Sequence, residues 1–146
     1  MQKLFRISQN MIKSIALILV GSAATLALAD DMGGMNSTNT LPPASTQPGV
    51  TYANNIKPIF DASCLKCHDS AKKPKAHLAL DSLAGVLKGS RDGVVVVPGD
   101  SAKSALVLAV AHIGDPDTYM PKGKDAQKLT DAQIGLIRAW IDQGAK

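Results

Sequence analysis

Cysteine is scarce in this chain, with only Cys64 and Cys67 among 146 residues, and the scarcity excludes a good deal. A disulfide framework needs several pairs, and a bridge between cysteines three positions apart closes too small a loop to stabilise much. A structural zinc site needs four ligands; with no second cysteine pair, His68, His77 and His112 would have to complete it. A thioredoxin-like redox pair wants a strand followed by a helix, and the residues around Cys64 show no such pattern. No acid–base pair or nucleophilic constellation stands out, so turnover chemistry on a substrate has nothing to rest on. Long apolar runs are missing too. The most apolar stretch, Ser14 to Ala29, falls short of the roughly 20 residues needed to cross a bilayer.

That stretch has a different reading. Lys3, Arg6 and Lys13 come first, an apolar run from Ile15 to Leu28 follows, and Ala27-Leu28-Ala29 closes it. Positive, apolar, then small-x-small is the order of a secretory signal peptide, so residues 1–29 are expected to be removed on export to the periplasm. No cysteine stands directly after the cleavage site, so a lipid anchor is not indicated, and with the apolar stretch removed no stable membrane span is expected in the mature chain. Cleavage removes three of the 16 basic residues and none of the 12 acidic ones, and most of the +4 net charge goes with them. The basic excess that nucleic-acid binding requires is thereby lost.

Residues 30–49 are Gly, Ser, Thr, Asn and Pro with little that could enter a core, and they read as a flexible linker. Met32 and Met35 could in principle ligate copper, but two thioethers on a floppy segment read better as part of a spacer. Residues 50–146 then form one domain with helical patterning. Ile56, Ile59, Phe60 and Cys64 fall at helical spacing, with Asn54 or Asn55 as cap and Pro58 in the first turn. Leu78, Leu80 and Leu83 lead into a brief helix that Gly89 ends. Ser101 to Ile113 reads as a helix capped by Ser101, with Leu106, Val110 and Ile113 on one face. Asp115 to Lys128 is broken by Pro116, Pro121 and Gly123. Thr130-Asp131-Ala132-Gln133 is a capping box for a last helix carrying Ile134, Ile137 and Ile141, with Gly144 as its stop. Gly135 inside that helix reads equally as a close approach by another helix or a cofactor and as a glycine tolerated without purpose. Trp140 reads equally as core filler or as a wall against a flat cofactor.

Cys64-Leu65-Lys66-Cys67-His68 is the C-x-x-C-H pattern of covalent haem attachment. Two thiols at this spacing can each add to one vinyl group, and the histidine directly after the second becomes the proximal iron ligand. The opposite axial position is open to several readings from the residues alone. Met120 lies in a Pro- and Gly-broken loop and offers a soft thioether that favours the ferrous state. Against it stand a Met that merely fills a gap, His112 or His77 as a second imidazole, and a vacant position that would bind small ligands.

From Asn54 to Ala145 the chain resembles the planctomycete-type cytochrome c domain family. The resemblance is carried by Ile56-Lys57-Pro58-Ile59-Phe60 ahead of the haem motif, Leu78-Ala79-Leu80-Asp81, Val97-Pro98-Gly99-Asp100 with Ser104, Met120-Pro121, Leu129-Thr130-Asp131 and Trp140-Ile141-Asp142-Gln143-Gly144-Ala145. It implies an all-α, small cytochrome c-like domain around one covalent haem, with its terminal helices packed together, and it carries the distal-ligand role onto Met120. Two departures stand out. The family usually has glycine after the haem histidine and ahead of the Leu-x-Leu-Asp stretch, where this chain has Asp69 and Ala76-His77. His77 is an extra imidazole, expected at the surface.

Lys66, Lys72, Lys73 and Lys75 crowd the motif and are relieved only by Asp69. Such a rim could steer an acidic redox partner, though a solvated loop explains it as well. The function expected is that of an electron carrier rather than an enzyme. The alternatives are a haem-based binder or sensor of small ligands and an electron-transfer subunit of a larger dehydrogenase.

Overall fold

The computed structural model describes residues 40–146. The signal segment, Met32 and Met35 lie outside the described residues. Among the described residues the elements are helical and no strand forms; one antiparallel bridge between Ser90 and Gly93 closes a turn.

The first helical run opens as a π-helical turn, Tyr52–Ile56, and continues as α1, Lys57–Ser63. Its cap is Thr51, whose hydroxyl accepts from the Asn54 amide, so the helix begins earlier than Asn54 or Asn55 would have placed it. Pro58 has no N–H to give and its ring crowds the carbonyl four residues back. A widened turn ahead of it relieves both demands. Helix α2, Leu65–His68, follows directly, and α3, Leu83–Lys88, is capped by Ser82 and ended by Gly89 at φ +82°.

The expected helix from Ser101 is shorter than its pattern. A 3-10 turn, Ser101–Lys103, is capped by Asp100; α4, Ala105–Ala111, then starts at Ser104 and stops at His112, which turns left-handed at φ +56°. Ser101 does not cap this helix. It is buried, with its amide and hydroxyl both bonded to the Asp142 carboxylate on the terminal helix at 2.8 and 3.0 Å. The terminal helix α5, Asp131–Asp142, has the full capping box between Thr130 and Gln133.

Helix α5 packs against α4 and against the Tyr52–Ile56 turn, which brings the two ends of the domain together as the resemblance implied. Trp140, Ile137 and Ile141 from α5 and Ile56 and Phe60 from the first run are completely enclosed. The Tyr52 ring lies between Phe60 and Trp140, with centroids 6.3 and 6.0 Å away. Trp140 also donates its indole N–H to the Lys146 carbonyl at 2.9 Å, and the Tyr52 amide reaches the same oxygen. With no exposed surface, Trp140 has no face left for a flat cofactor; it is core.

The free spacer expected up to Gly49 is corrected for residues 41–47. Leu41 packs on the core, the Ser45 amide bonds the Gly135 carbonyl at 2.9 Å, and the Arg138 guanidinium takes the Pro42 carbonyl. Gln143 donates to the Gln47 carbonyl at 2.9 Å. A chain with few apolar residues is thus held by backbone hydrogen bonds rather than by burial. This strap is also what Gly135 accommodates: a Cβ there would lie 2.8 Å from the Pro43 carbonyl oxygen. The close approach is real, and it comes from extended chain rather than from another helix.

Candidate functional site

The three residues of the attachment motif share one helical turn. Cys64 ends α1 with its amide on the Phe60 carbonyl at 2.8 Å, and its own carbonyl accepts from both Cys67 and His68 at 3.0 Å. Positions i, i+3 and i+4 of a helix lie on one face, so this turn brings both thiols and the imidazole to the same side. Cys64 is partly buried and packs on the core, whereas Cys67 is exposed. Burial pushes the Cys64 thiol up to about 11, which keeps it protonated at neutral pH. Reactive disulfide-exchange cysteines show the opposite shift, so the site does not suit a thiol redox pair. Among the described residues, no three histidine, cysteine or acidic side chains gather as a metal cluster would need.

His68 is buried, and no residue near it in the chain discloses what holds it. Its Nδ1 lies 3.0 Å from the Leu78 carbonyl; a carbonyl only accepts, so Nδ1 carries the hydrogen and Nε2 keeps the lone pair. The Leu80 amide bonds the His68 carbonyl at 2.8 Å, and Asp81 accepts from the Ser70 hydroxyl at 2.6 Å. That hydroxyl holds the Asp81 carboxyl below its usual range. The Leu78-Ala79-Leu80-Asp81 stretch is therefore a clamp on His68 and on the residues just after it. Tyr52 extends the clamp to the core by donating its hydroxyl to the Leu80 carbonyl at 2.8 Å. A neutral imidazole with one nitrogen held by a carbonyl and the other available is the donor that haem iron takes, so the residues fit the group.

The clamp turns tightly, and three non-glycine residues take left-handed backbone in it: Lys73, Ala76 and His77, at φ of 53, 53 and 58°. Glycine adopts this conformation without penalty, which explains the family's glycine ahead of Leu-x-Leu-Asp; here Ala76 and His77 adopt it instead. His77 is exposed, as expected for an extra imidazole. Lys66, Lys72, Lys73 and Lys75 are exposed too, with Lys72 paired to Asp69 at 3.0 Å.

Met120 is partly buried and packs against the same core as Cys64 and Leu78. Its amide bonds the Ala109 carbonyl at 3.0 Å, and its carbonyl meets His112 Nε2 at 2.9 Å. The His112 ring stacks on Tyr119 with centroids 4.6 Å apart. His112 is therefore committed to the backbone of the Met120 loop, which its position in the sequence did not disclose.

Two thiols and a clamped histidine in C-x-x-C-H order on one turn of a helical domain have the arrangement that covalent haem attachment requires. Residues 64–123, a stretch that runs from Cys64 through Met120-Pro121, match the family model described as planctomycete cytochrome C. No curated protein and no solved structure matches the chain. The match points to a haem-based electron-transfer role, with haem c and its iron as the cofactor and with redox partners. Among the described residues no helix is long and apolar enough to cross a membrane.

Proposed function

We propose that this chain is an exported, single-haem c-type cytochrome that carries single electrons between redox partners in the periplasm. Cys64 and Cys67 hold the haem through thioethers, His68 is the proximal ligand and Met120 the distal one. The observation that carries the reading is the His68 arrangement: a buried imidazole, hydrogen-bonded through Nδ1, one residue beyond a thiol pair on the same helical face. When bound, the haem supplies the one-electron iron couple.

The chain's own residues do the positioning. Leu78 fixes the His68 tautomer and ring plane, and Tyr52 fixes the Leu78–Asp81 segment to the aromatic core. A ligand held this firmly moves little when the charge on its partner changes, which suits electron transfer without rearrangement. The Met120 thioether, as a soft donor, favours the reduced state and raises the potential. Exposed Lys66, Lys73 and Lys75 next to the motif give an encounter surface for an acidic partner. The domain order that goes with this reading is a signal peptide over 1–29, a linker from residue 30, and the cytochrome domain to residue 146.

Purification from an expression host that matures c-type cytochromes tests the reading. The intact mass is expected to be that of a chain beginning at Asp30 plus one haem, retained through acid–acetone extraction. A haem-free chain with zinc, or with two free thiols, overturns it. Ready binding of carbon monoxide by the wild-type ferrous protein replaces the carrier with a small-ligand binder.

A further inference from the structure

We propose that His112 is a positioning residue that latches the Met120 loop, and so holds the thioether in place, rather than a ligand in its own right. The inference rests on the proposal that Met120 is the distal ligand. The Met120 carbonyl can only accept, so His112 Nε2 carries the hydrogen and donates it across 2.9 Å. That nitrogen is unavailable to iron while the bond stands. Three features keep the ring there. Helix α4 ends on His112 in left-handed backbone at φ +56°, which turns the side chain off the helix path; the ring stacks on Tyr119; and the Met120 amide is tied to Ala109, one turn earlier on α4. The amide and the carbonyl of Met120 itself are thus both fastened to the end of one packed helix. The loop ahead of Met120 forms a 3-10 turn of its own, Pro116–Thr118, with the Tyr119 hydroxyl on the Gly114 carbonyl at 3.0 Å, and the His112 bond fixes where the end of that turn stands against α4.

The experiment uses the holoprotein with His112→Asn, His112→Gln and Met120→Ala. Asn accepts left-handed backbone but is too short to span the bond, while the Gln amide can place a donor near the position of Nε2. Losing one hydrogen bond raises the population of released thioether about fivefold. For His112→Asn the rate of carbon monoxide binding to the ferrous protein is therefore expected to rise about fivefold, and hydrogen exchange at the Met120 amide to quicken by a similar factor. His112→Gln is expected to restore both towards wild type. Wild-type rates in His112→Asn, or equal effects of Asn and Gln, overturn the latch. If His112→Asn quickens amide exchange while Met120→Ala leaves the spectrum unchanged, the hydrogen bond is real but Met120 is not the ligand, and the underlying reading fails instead. If His112→Asn alone abolishes six-coordination, His112 is itself the ligand and the latch is wrong.

Discussion

At the scale of single residues, the site is set by which atom of each side chain is left free. Met120 is partly buried with its backbone tied at both ends, so its thioether is the group a substitution removes most cleanly. Met120→Ala is expected to lower the reduction potential by a sizeable part of the ~0.8 V that axial ligands span, and to admit carbon monoxide. Met120→His is expected to close the site again at low potential, imidazole being the harder base. Equilibrium redox titration of the three proteins checks both. Ala76 offers a test on the other side of the motif. Its left-handed backbone, at φ +53°, costs about 1 kcal/mol or more for any residue with a Cβ. Ala76→Gly removes that cost but gives the unfolded chain more freedom. The net expectation is a gain of about 0.5 kcal/mol in denaturant unfolding, with an unchanged visible spectrum. A loss of stability there contradicts the account of why the family keeps a glycine in this turn.

At the scale of elements, the contacts that matter run between α5 and the segments laid on it. Gly135→Ala is favoured by helix propensity by about 1 kcal/mol. The added Cβ, however, sits 2.8 Å from backbone oxygen of the strap and threatens the Ser45–Gly135 and Arg138–Pro42 bonds. Two hydrogen bonds at about 1 kcal/mol each outweigh the propensity gain. The variant is expected to be about 1 kcal/mol less stable and to be cut faster by protease near residues 41–47. Tyr52 joins the first helical run to the clamp on His68. Burial, with Asp81 and Asp61 nearby, raises its hydroxyl to about 12. A tyrosine whose folded pKa lies above the unfolded value of about 10 binds its proton more tightly in the native state. The stability this contributes is complete below pH 10 and is lost as the pH rises through 10 to 12. Tyr52→Phe is expected to flatten that alkaline loss in a series of thermal melts, at the cost of one hydrogen bond at neutral pH.

At the scale of the whole molecule, charge decides how the domain meets a partner. Four exposed lysines gather near the motif, but Lys72 is already paired with Asp69. The steering contribution therefore falls to Lys66, Lys73 and Lys75, and replacing these three by Gln is expected to flatten the fall of the association rate with rising salt. An unchanged slope in stopped-flow mixing with an acidic redox protein returns them to an ordinary solvated loop. Much of this architecture was legible in the sequence. The attachment turn and the capping box depend on residues within four positions of each other, and local backbone chemistry is enough to specify them. The enclosed faces of Ile56, Phe60, Ile134, Ile137 and Ile141 follow from helical period in the same way. Other features join residues far apart in the chain and carry no local signal. The bonds that fix His68 and the strap across Gly135 go to backbone carbonyls that any residue could offer, and the Ser101–Asp142 bond that moved the start of α4 joins side chains 41 positions apart. Composition alone made the strap look free, because a backbone bond leaves no mark on residue type. His112 was a rival ligand by its chemistry; only the tertiary structure stacks its ring on Tyr119 and sets Nε2 against the Met120 carbonyl.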